Sequence, residues 1–198
     1  ASIRPGDYRF RDQNGDGKIT SADLVLLGSG EPDFTGGLTN TVSYKNLSLS
    51  VAMQFSYGAT VFNANLHSLT SGRDGHNQIA EMNTKSWSPT LYDADGNVFF
   101  AGNNEAKYRM PGGVALNYCT SKMLEDGSFL RIGDITLAYA LGKKVAKKVG
   151  MQNIKLFASV KNLCVFTKYT GFDPEVNTRQ GQTGDLMPSL DYSAYPRN

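Results

Sequence analysis

The chain has 198 residues, with 20 Lys+Arg against 18 Asp+Glu and a formal charge of +2. No basic stripe interleaved with aromatics runs through it, so no nucleic-acid partner is expected. Its 21 Gly, 10 Tyr and 10 Phe point to a turn-rich, all-β class. No apolar run approaches the roughly 18 to 20 residues of a membrane-spanning helix, which excludes a helical membrane protein and leaves open a transmembrane barrel, whose strands bury only alternate residues.

The start, Ala1-Ser2-Ile3-Arg4, has neither an initiating Met nor a charged and apolar signal segment, so a targeting segment is expected upstream or already removed. Arg4 to Arg11 reads as extended chain. Asp12 to Asp23 then follows D-x-N-x-D-G-x-I-x-x-x-D, a spacing that surrounds a hard cation with oxygen. Asp12, Asn14 and Asp16 would ligate by side chain, Lys18 by its carbonyl and Thr20 through water, while Gly17 permits the bend. Asp23 stands where a bidentate Glu is usual, and its shorter arm weakens the site or favours a smaller cation. The expected cofactor is a structural Ca2+, with Mg2+ admitted; the competing reading is a metal-free Asn/Asp/Gly turn held by side-chain to backbone hydrogen bonds. With no incoming helix, the loop is EF-hand-like without being an EF-hand pair.

From Phe34 to Tyr44 the even positions are mostly apolar, and after Lys45-Asn46 the alternation is complete. Leu47, Leu49, Val51, Met53, Phe55 and Tyr57 oppose Ser48, Ser50, Ala52, Gln54, Ser56 and Gly58. A strict period of two predicts strands, here joined as a tight hairpin. Residues 59–126 form a long Asn-, Gly- and Ser-rich connection, with a short helix predicted around Val61 to Leu69 and a turn at Asp93 to Asn97. A second hairpin follows. Ile135, Leu137, Tyr139 and Leu141 line one face of 127–141, and Ile154, Leu156, Ala158 and Val160 line one face of 153–167. A β-bulge is predicted near Asn162, after which Leu163 and Val165 carry the apolar face. Between these strands, Gly142 to Gly150 predicts one helical turn with Val145 and Val149 on one side and a glycine cap. Short turns at one end and long connections at the other are the asymmetry of outer-membrane barrels, in which Phe34, Tyr44, Tyr57 and Tyr139 would form interfacial girdles.

Pro5-Gly6-Asp7 with Asp12 to Ile19 and Pro32 to Gly37 closely resembles the carboxy-terminal region of SusC/RagA-type TonB-linked (TonB-dependent) outer-membrane transporters. Glu125 to Ile132 with Ile135 to Tyr139, Lys161 to Leu163, Phe166 to Val176, and Asp191-Tyr192 to Tyr195-Pro196 resemble it in order and spacing; only His67 to Tyr118 is poorly covered. The resemblance implies an antiparallel barrel of about 22 strands plugged by an amino-terminal domain. That barrel imports oligosaccharides or peptides with energy relayed by TonB, beneath a SusD-like surface lipoprotein. On that pattern 1–33 is an extracellular loop with the metal site, 34–58 and 127–168 are transmembrane hairpins, and 59–126 and 169–198 face outward. The short turns would face the periplasm. The chain departs from the family in lacking the plug, the TonB-contacting segment and most strands, and in stopping before an aromatic-ended final strand. Four strands cannot close a barrel, so partners in the remainder of the barrel and contact with outer-membrane lipid are expected.

No enzyme is expected. His67 and His76 stand apart from any nucleophile, and Glu125-Asp126 and Asp93/Asp95 are paired only in sequence. Cys119 and Cys164 have no metal-ligand spacing and read as unpaired small residues. Trp87, Tyr92, Phe99, Phe100, Tyr108 and Tyr118 are candidate substrate-contact residues that would stack on sugar rings, against the reading that loop aromatics pack on one another. The alternative is a secreted, soluble calcium-binding β-sandwich that binds glycan. In a barrel Leu47, Val51, Met53, Leu137 and Leu156 face lipid; in a sandwich they are buried.

Overall fold

The computed structural model describes residues 5–72, 77–110, 120–176 and 189–192. His76, Tyr118, Cys119 and the Tyr195-Pro196 signature lie outside the described residues. In chain order the elements are β1 (Phe34–Tyr44), β2 (Leu47–Tyr57), β3 (Thr60–Asn63), α1 (Ala64–Thr70), α2 (Met82–Lys85), β4 (Leu91–Tyr92), β5 (Val98–Phe100), β6 (Leu124–Asp126), β7 (Phe129–Ala140), α3 (Lys143–Lys148), β8 (Lys155–Thr167) and β9 (Leu190–Asp191). The chain divides into two compact units, one of Gly28–Phe62 with Leu124–Asn198 and one of Ala1–Leu27 with Asn63–Met123.

The first unit is built on a four-stranded sheet in the order β1-β2-β7-β8, antiparallel throughout. Both expected hairpins form, and β2 and β7 pair although 71 residues lie between Tyr57 and Phe129. The period-two alternation favours this arrangement, because only a common register gathers most of the apolar residues on one side. Lys45 takes φ 53 in the two-residue turn, the left-handed conformation that a tight hairpin demands.

The bulge is present, but its effect on phase differs from expectation. Met53 pairs with Ile132 and Ala52 with Asp134, which makes Gly133 an extra residue in β7. Ile132 pairs with Cys164 and Asp134 with Lys161, so Asn162 and Leu163 together oppose Gly133. The parity of the apolar face therefore changes within β7, from Leu130 and Ile132 to Ile135 and Leu137. In β8 two residues are inserted and parity is kept, so Cys164 and Phe166 continue the apolar face, in place of the expected Leu163 and Val165. Asn162 sits at φ 51, where its short amide side chain is tolerated.

A smaller sheet is ordered β6-β3-β9. The helix expected from Val61 begins instead at Ala64, since Val61 and Phe62 pair with Glu125 and Leu124. Asn63 caps α1 by accepting from the Leu66 N–H at 2.8 Å. Val61, Tyr169 and Val176 form the buried cluster here. The helical turn α3 ends at Gly150 with φ 73 as expected. Its packed residue, however, is the fully buried Ala146, while Val145 and Val149 are 52% and 61% exposed.

The second unit holds α1, α2 and the β4–β5 hairpin, whose turn is organised by Asp93 accepting from the N–H groups of Asp95 and Asn97. Gly6, at φ 91, lies directly against the Trp87 ring, where a Cβ would come within 2.3 Å. The segments around Trp87 and Tyr108 are joined by the Trp87 N–H to Tyr108 carbonyl hydrogen bond at 2.9 Å.

Candidate functional site

Pairing partners share a face, so the register assigns every side chain of the large sheet. One face carries Phe34, Leu38, Val42 and Tyr44 of β1, then Leu47 to Tyr57 at odd positions of β2. Across β7 and β8 it continues through Leu130, Ile132, Ile135, Leu137 and Tyr139 and through Leu156, Val160, Cys164 and Phe166. Gly36 and Asn40 interrupt it, and the Phe55 ring covers Gly36. The opposite face is rich in hydroxyls, with Thr35 opposite Ser56, Thr41 opposite Ser50 and Ser43 opposite Ser48, then Thr136 and Ser159 on the far strands, although Phe129, Phe157 and Val165 also lie on it. Thr41 Oγ1 donates to Ser50 Oγ at 3.1 Å.

Soluble proteins rarely leave an apolar surface of this extent uncovered. Here it is open on all four strands: Leu38 is 54% exposed, Leu49 40%, Leu137 45% and Val160 51%. The stripes do not face one another across an interior, as a sandwich requires. Tyr44, Leu47, Tyr139 and Leu156 form a row across the four strands at one end. At the other end Phe34 stacks on Tyr57 with centroids 5.2 Å apart and meets Phe55 edge-on at 6.1 Å. The interval from Phe34 to Tyr44 is about 34 Å at ~3.4 Å per residue. A strand tilt of ~40° reduces it to about 26 Å of height, close to the ~25 Å apolar band of an outer-membrane barrel.

On the polar face, the segment following β8 is fastened by charge. Arg131 is buried, donating from Nη1 to Asn162 Oδ1 at 2.9 Å and from Nη2 to Asp173 Oδ1 at 2.7 Å, with Glu175 Oε2 at 3.6 Å. Asp173 also accepts from the Glu175 N–H at 2.9 Å. Thr170 donates from its backbone and its hydroxyl to the Glu125 carboxylate, both at 2.8 Å. The Tyr169 hydroxyl donates to the fully buried Asp191, and burial, followed by that hydrogen bond, raises its pKa. Sequence reading passed over Arg131, since a single Arg within a strand announces neither burial nor a partner 42 residues on.

The calcium-type loop is closed by its own side chains. Asp12 accepts from the N–H groups of Gly15 and Gly17, both at 2.7 Å, and Asp16 from that of Lys18 at 2.8 Å. Asp23 accepts from Gln13 at 2.8 Å and Thr20 at 2.7 Å, and these donors, Thr20 foremost, lower its pKa. Asn14 accepts from the Asp16 N–H, and Thr20 caps the 3-10 turn Ser21–Asp23. Among the described residues no group of three His, Cys, Asp or Glu side chains is arranged to hold a metal. Each carboxylate oxygen still has a second lone-pair direction, so the donor set remains chemically suited to a hard cation.

The aromatic candidates do not share one surface. Tyr92, Phe99 and Phe100 are exposed on the β4–β5 hairpin, Phe99 at 79%. Trp87 packs on Gly6, and Tyr108 is buried with its hydroxyl donating to Glu81 Oε2 at 2.9 Å. Tyr118 lies outside the described residues. Lys85 and Lys107 also bond Glu81, and the three donors bring its pKa down to about 2. His67 is lowered by burial, then by Arg109.

No family model matches the chain. The TonB-dependent receptor P3 of Formosa agariphila is 34% identical over 194 residues, which is 97% of this chain and 18% of that protein. TonB-dependent receptor SusC of Bacteroides thetaiotaomicron is 26% identical over 198 residues, 98% of this chain and 17% of that protein. Among solved structures, the RagAB peptide transporter matches 90% of this chain and 17% of its own with a TM-score of 0.66 at 23% identity. The same complex in its open-open importer state gives 0.64. The chain thus spans less than a fifth of the length of these relatives, and the structural likeness matches its fold to 17% of a longer chain.

Proposed function

We propose that this chain, which belongs with the SusC-type TonB-dependent receptors along nearly its whole length, forms part of the wall of their outer-membrane barrel. The apolar face turns to lipid and the Ser/Thr face to an aqueous lumen. The bacterial outer membrane is its location. The exposed apolar face that runs over β1, β2, β7 and β8, carried across the Gly133 bulge by its change of parity, supports this reading. In the barrel, β1 and β8 pair with neighbouring strands of a ring of about 22, because open edges are costly in lipid. The calcium-type loop, residues 59–126 and residues 169–198 lie outside the cell. The whole receptor imports oligosaccharides or peptides, driven through TonB, beneath a SusD-like lipoprotein; its role is passage and binding, without catalysis. The exposed Tyr92, Phe99 and Phe100 are the loop aromatics best able to touch substrate or lid. Calcium in the Asp12 to Asp23 loop would steady that loop by neutralising carboxylates which already hold its backbone.

The test uses the full receptor containing this segment. Val51→Lys and Ile135→Lys, mid-sheet on the apolar face, should cost about 2–4 kcal/mol of folded barrel. Ser50→Lys and Thr136→Lys, on the other face, should leave the heat-modifiable folded fraction unchanged. Equal loss on both faces would overturn the lipid-facing assignment. Growth on oligosaccharide or on peptide as the carbon source, with and without the receptor, separates the two substrate classes.

A further inference from the structure

The two ends of the large sheet differ in charge. Neither 34–57 nor 135–172 contains an Asp or Glu, and six lysines from these stretches gather at the end with the short turns. Lys45 is in the β1–β2 turn, Lys143, Lys144, Lys147 and Lys148 are on α3, and Lys155 begins β8. The Ala140 N–H to Asn46 carbonyl hydrogen bond at 2.8 Å puts both turns at one end. All six lysines are exposed, and none forms an ion pair among the described residues. Glu31, Asp33, Glu125 and Asp126 occupy the other end.

Exposed apolar groups stand among these lysines. Val145, Val149 and Met151 are 52%, 61% and 55% exposed, while Ala146 alone anchors the turn. They lie at the same end of the sheet as Tyr44 and Tyr139, the last aromatics of its apolar face, because α3 follows β7 directly; Lys45 Nζ lies 5.3 Å from the Tyr44 ring centroid. A short helix with lysines beside bare aliphatics, at the end of a sheet with one exposed apolar face, suits the headgroup layer.

We propose that this lysine-rich end is a docking surface for anionic phospholipid headgroups of the periplasmic leaflet, with the α3 lysines holding lipid phosphates and Val145, Val149 and Met151 resting among the upper acyl carbons. The inference rests on the membrane reading above and adds to it a lipid preference and a fixed depth. Phosphate-bearing lipid is the occupant that matches both the unopposed positive charge and the exposed aliphatics at the end of the sheet. A soluble acidic protein would match the charge alone.

The experiment places the full receptor in nanodiscs of phosphatidylethanolamine with a minor fraction of phosphatidylglycerol and measures the lipid retained after detergent exchange. Phosphatidylglycerol should be enriched at least about threefold over its input, and the enrichment should fall with added salt. The variant K143Q/K144Q/K147Q/K148Q should lose it. The same four positions changed to Arg should keep it, as should Lys168→Gln at the opposite end. No enrichment in the parent, or enrichment surviving in the Gln variant, would overturn the proposal while the receptor still folds in the disc. Failure to fold in any lipid, judged by heat modifiability, would overturn the membrane reading and this inference with it.

Discussion

Replacing Arg131 by Met keeps an unbranched stem of similar length and deletes the guanidinium, which tests whether the segment after β8 is held by charge. Both side chains of the Arg131–Asp173 pair are under a tenth exposed, 8% and 7%. Breaking such a pair from one side costs about 3–5 kcal/mol, since a charge is left buried without its partner. Asp173 retains the Glu175 N–H, and Glu175, 45% exposed, relaxes into water; the expected loss is therefore at the lower limit, about 3 kcal/mol. Arg131→Lys keeps the charge but cannot reach Asn162 and Asp173 together, and should cost about 1–2 kcal/mol. In R131M/D173N the stranded charge is gone, so the double variant should be more stable than R131M alone. Urea unfolding of the full receptor reads the stability, and amide hydrogen exchange over 169–176 reads the local release. A loss below about 0.5 kcal/mol for R131M, or single-variant losses that simply add, would refute the reasoning.

Further consequences are more local. Gly36→Ala brings a Cβ within 2.5 Å of the Phe55 ring, whereas Gly37→Ala meets its nearest atom at 3.5 Å; the first should cost about 1–2 kcal/mol more than the second in the same unfolding assay. Glu81, held near pKa 2 by Lys85, Lys107 and Tyr108, has a folded value below its unfolded one. Its contribution is complete above the unfolded carboxylate range and is lost as pH falls through about 2. Exchange protection of 81–108, corrected for intrinsic rates, should thus persist at pH 4 and fade toward pH 2, and Glu81→Gln should weaken it already at pH 7. Asp12→Ala or Asp16→Ala should open residues 11–24 to protease without unfolding the strands. Calcium should protect that loop in the parent, and equal cleavage with calcium and with chelator would count against a metal there.

The long strands were legible because alternation of Leu, Val and Phe with Ser over a dozen residues has only one low-energy solution, a half-exposed sheet. Bulge placement was less so. Near Asn162 the pattern admitted a one-residue slip, and only the cross-strand partners reveal that Gly133 takes the parity change while β8 inserts two residues. Val145 and Val149 carried the apolar signal in α3, yet the small Ala146 is what fits beneath the turn. Strand β3 was hidden because Val61 and Phe62 suit a helix or a strand equally, and the partners that decide, Leu124 and Glu125, are distant in sequence. Arg131 shows the same limit at the site: its chemistry was visible, its partner was not. The donor spacing from Asp12 to Asp23 was readable in full, whereas the turning of those carboxylates onto backbone N–H groups belongs to the loop's three-dimensional closure.

Spin labels placed singly along β2 and β7 of the membrane-embedded receptor, with native cysteines replaced, give the most direct test. Collision with lipid-soluble oxygen should peak at Leu49, Val51 and Met53, and collision with an aqueous nickel chelate at Ser48, Ser50 and Gln54. In β7 the oxygen maxima should run Leu130, Ile132, then Ile135 and Leu137, changing phase across Gly133. A uniform water signal, or alternation that keeps one parity through β7, would contradict a lipid-facing sheet in this register.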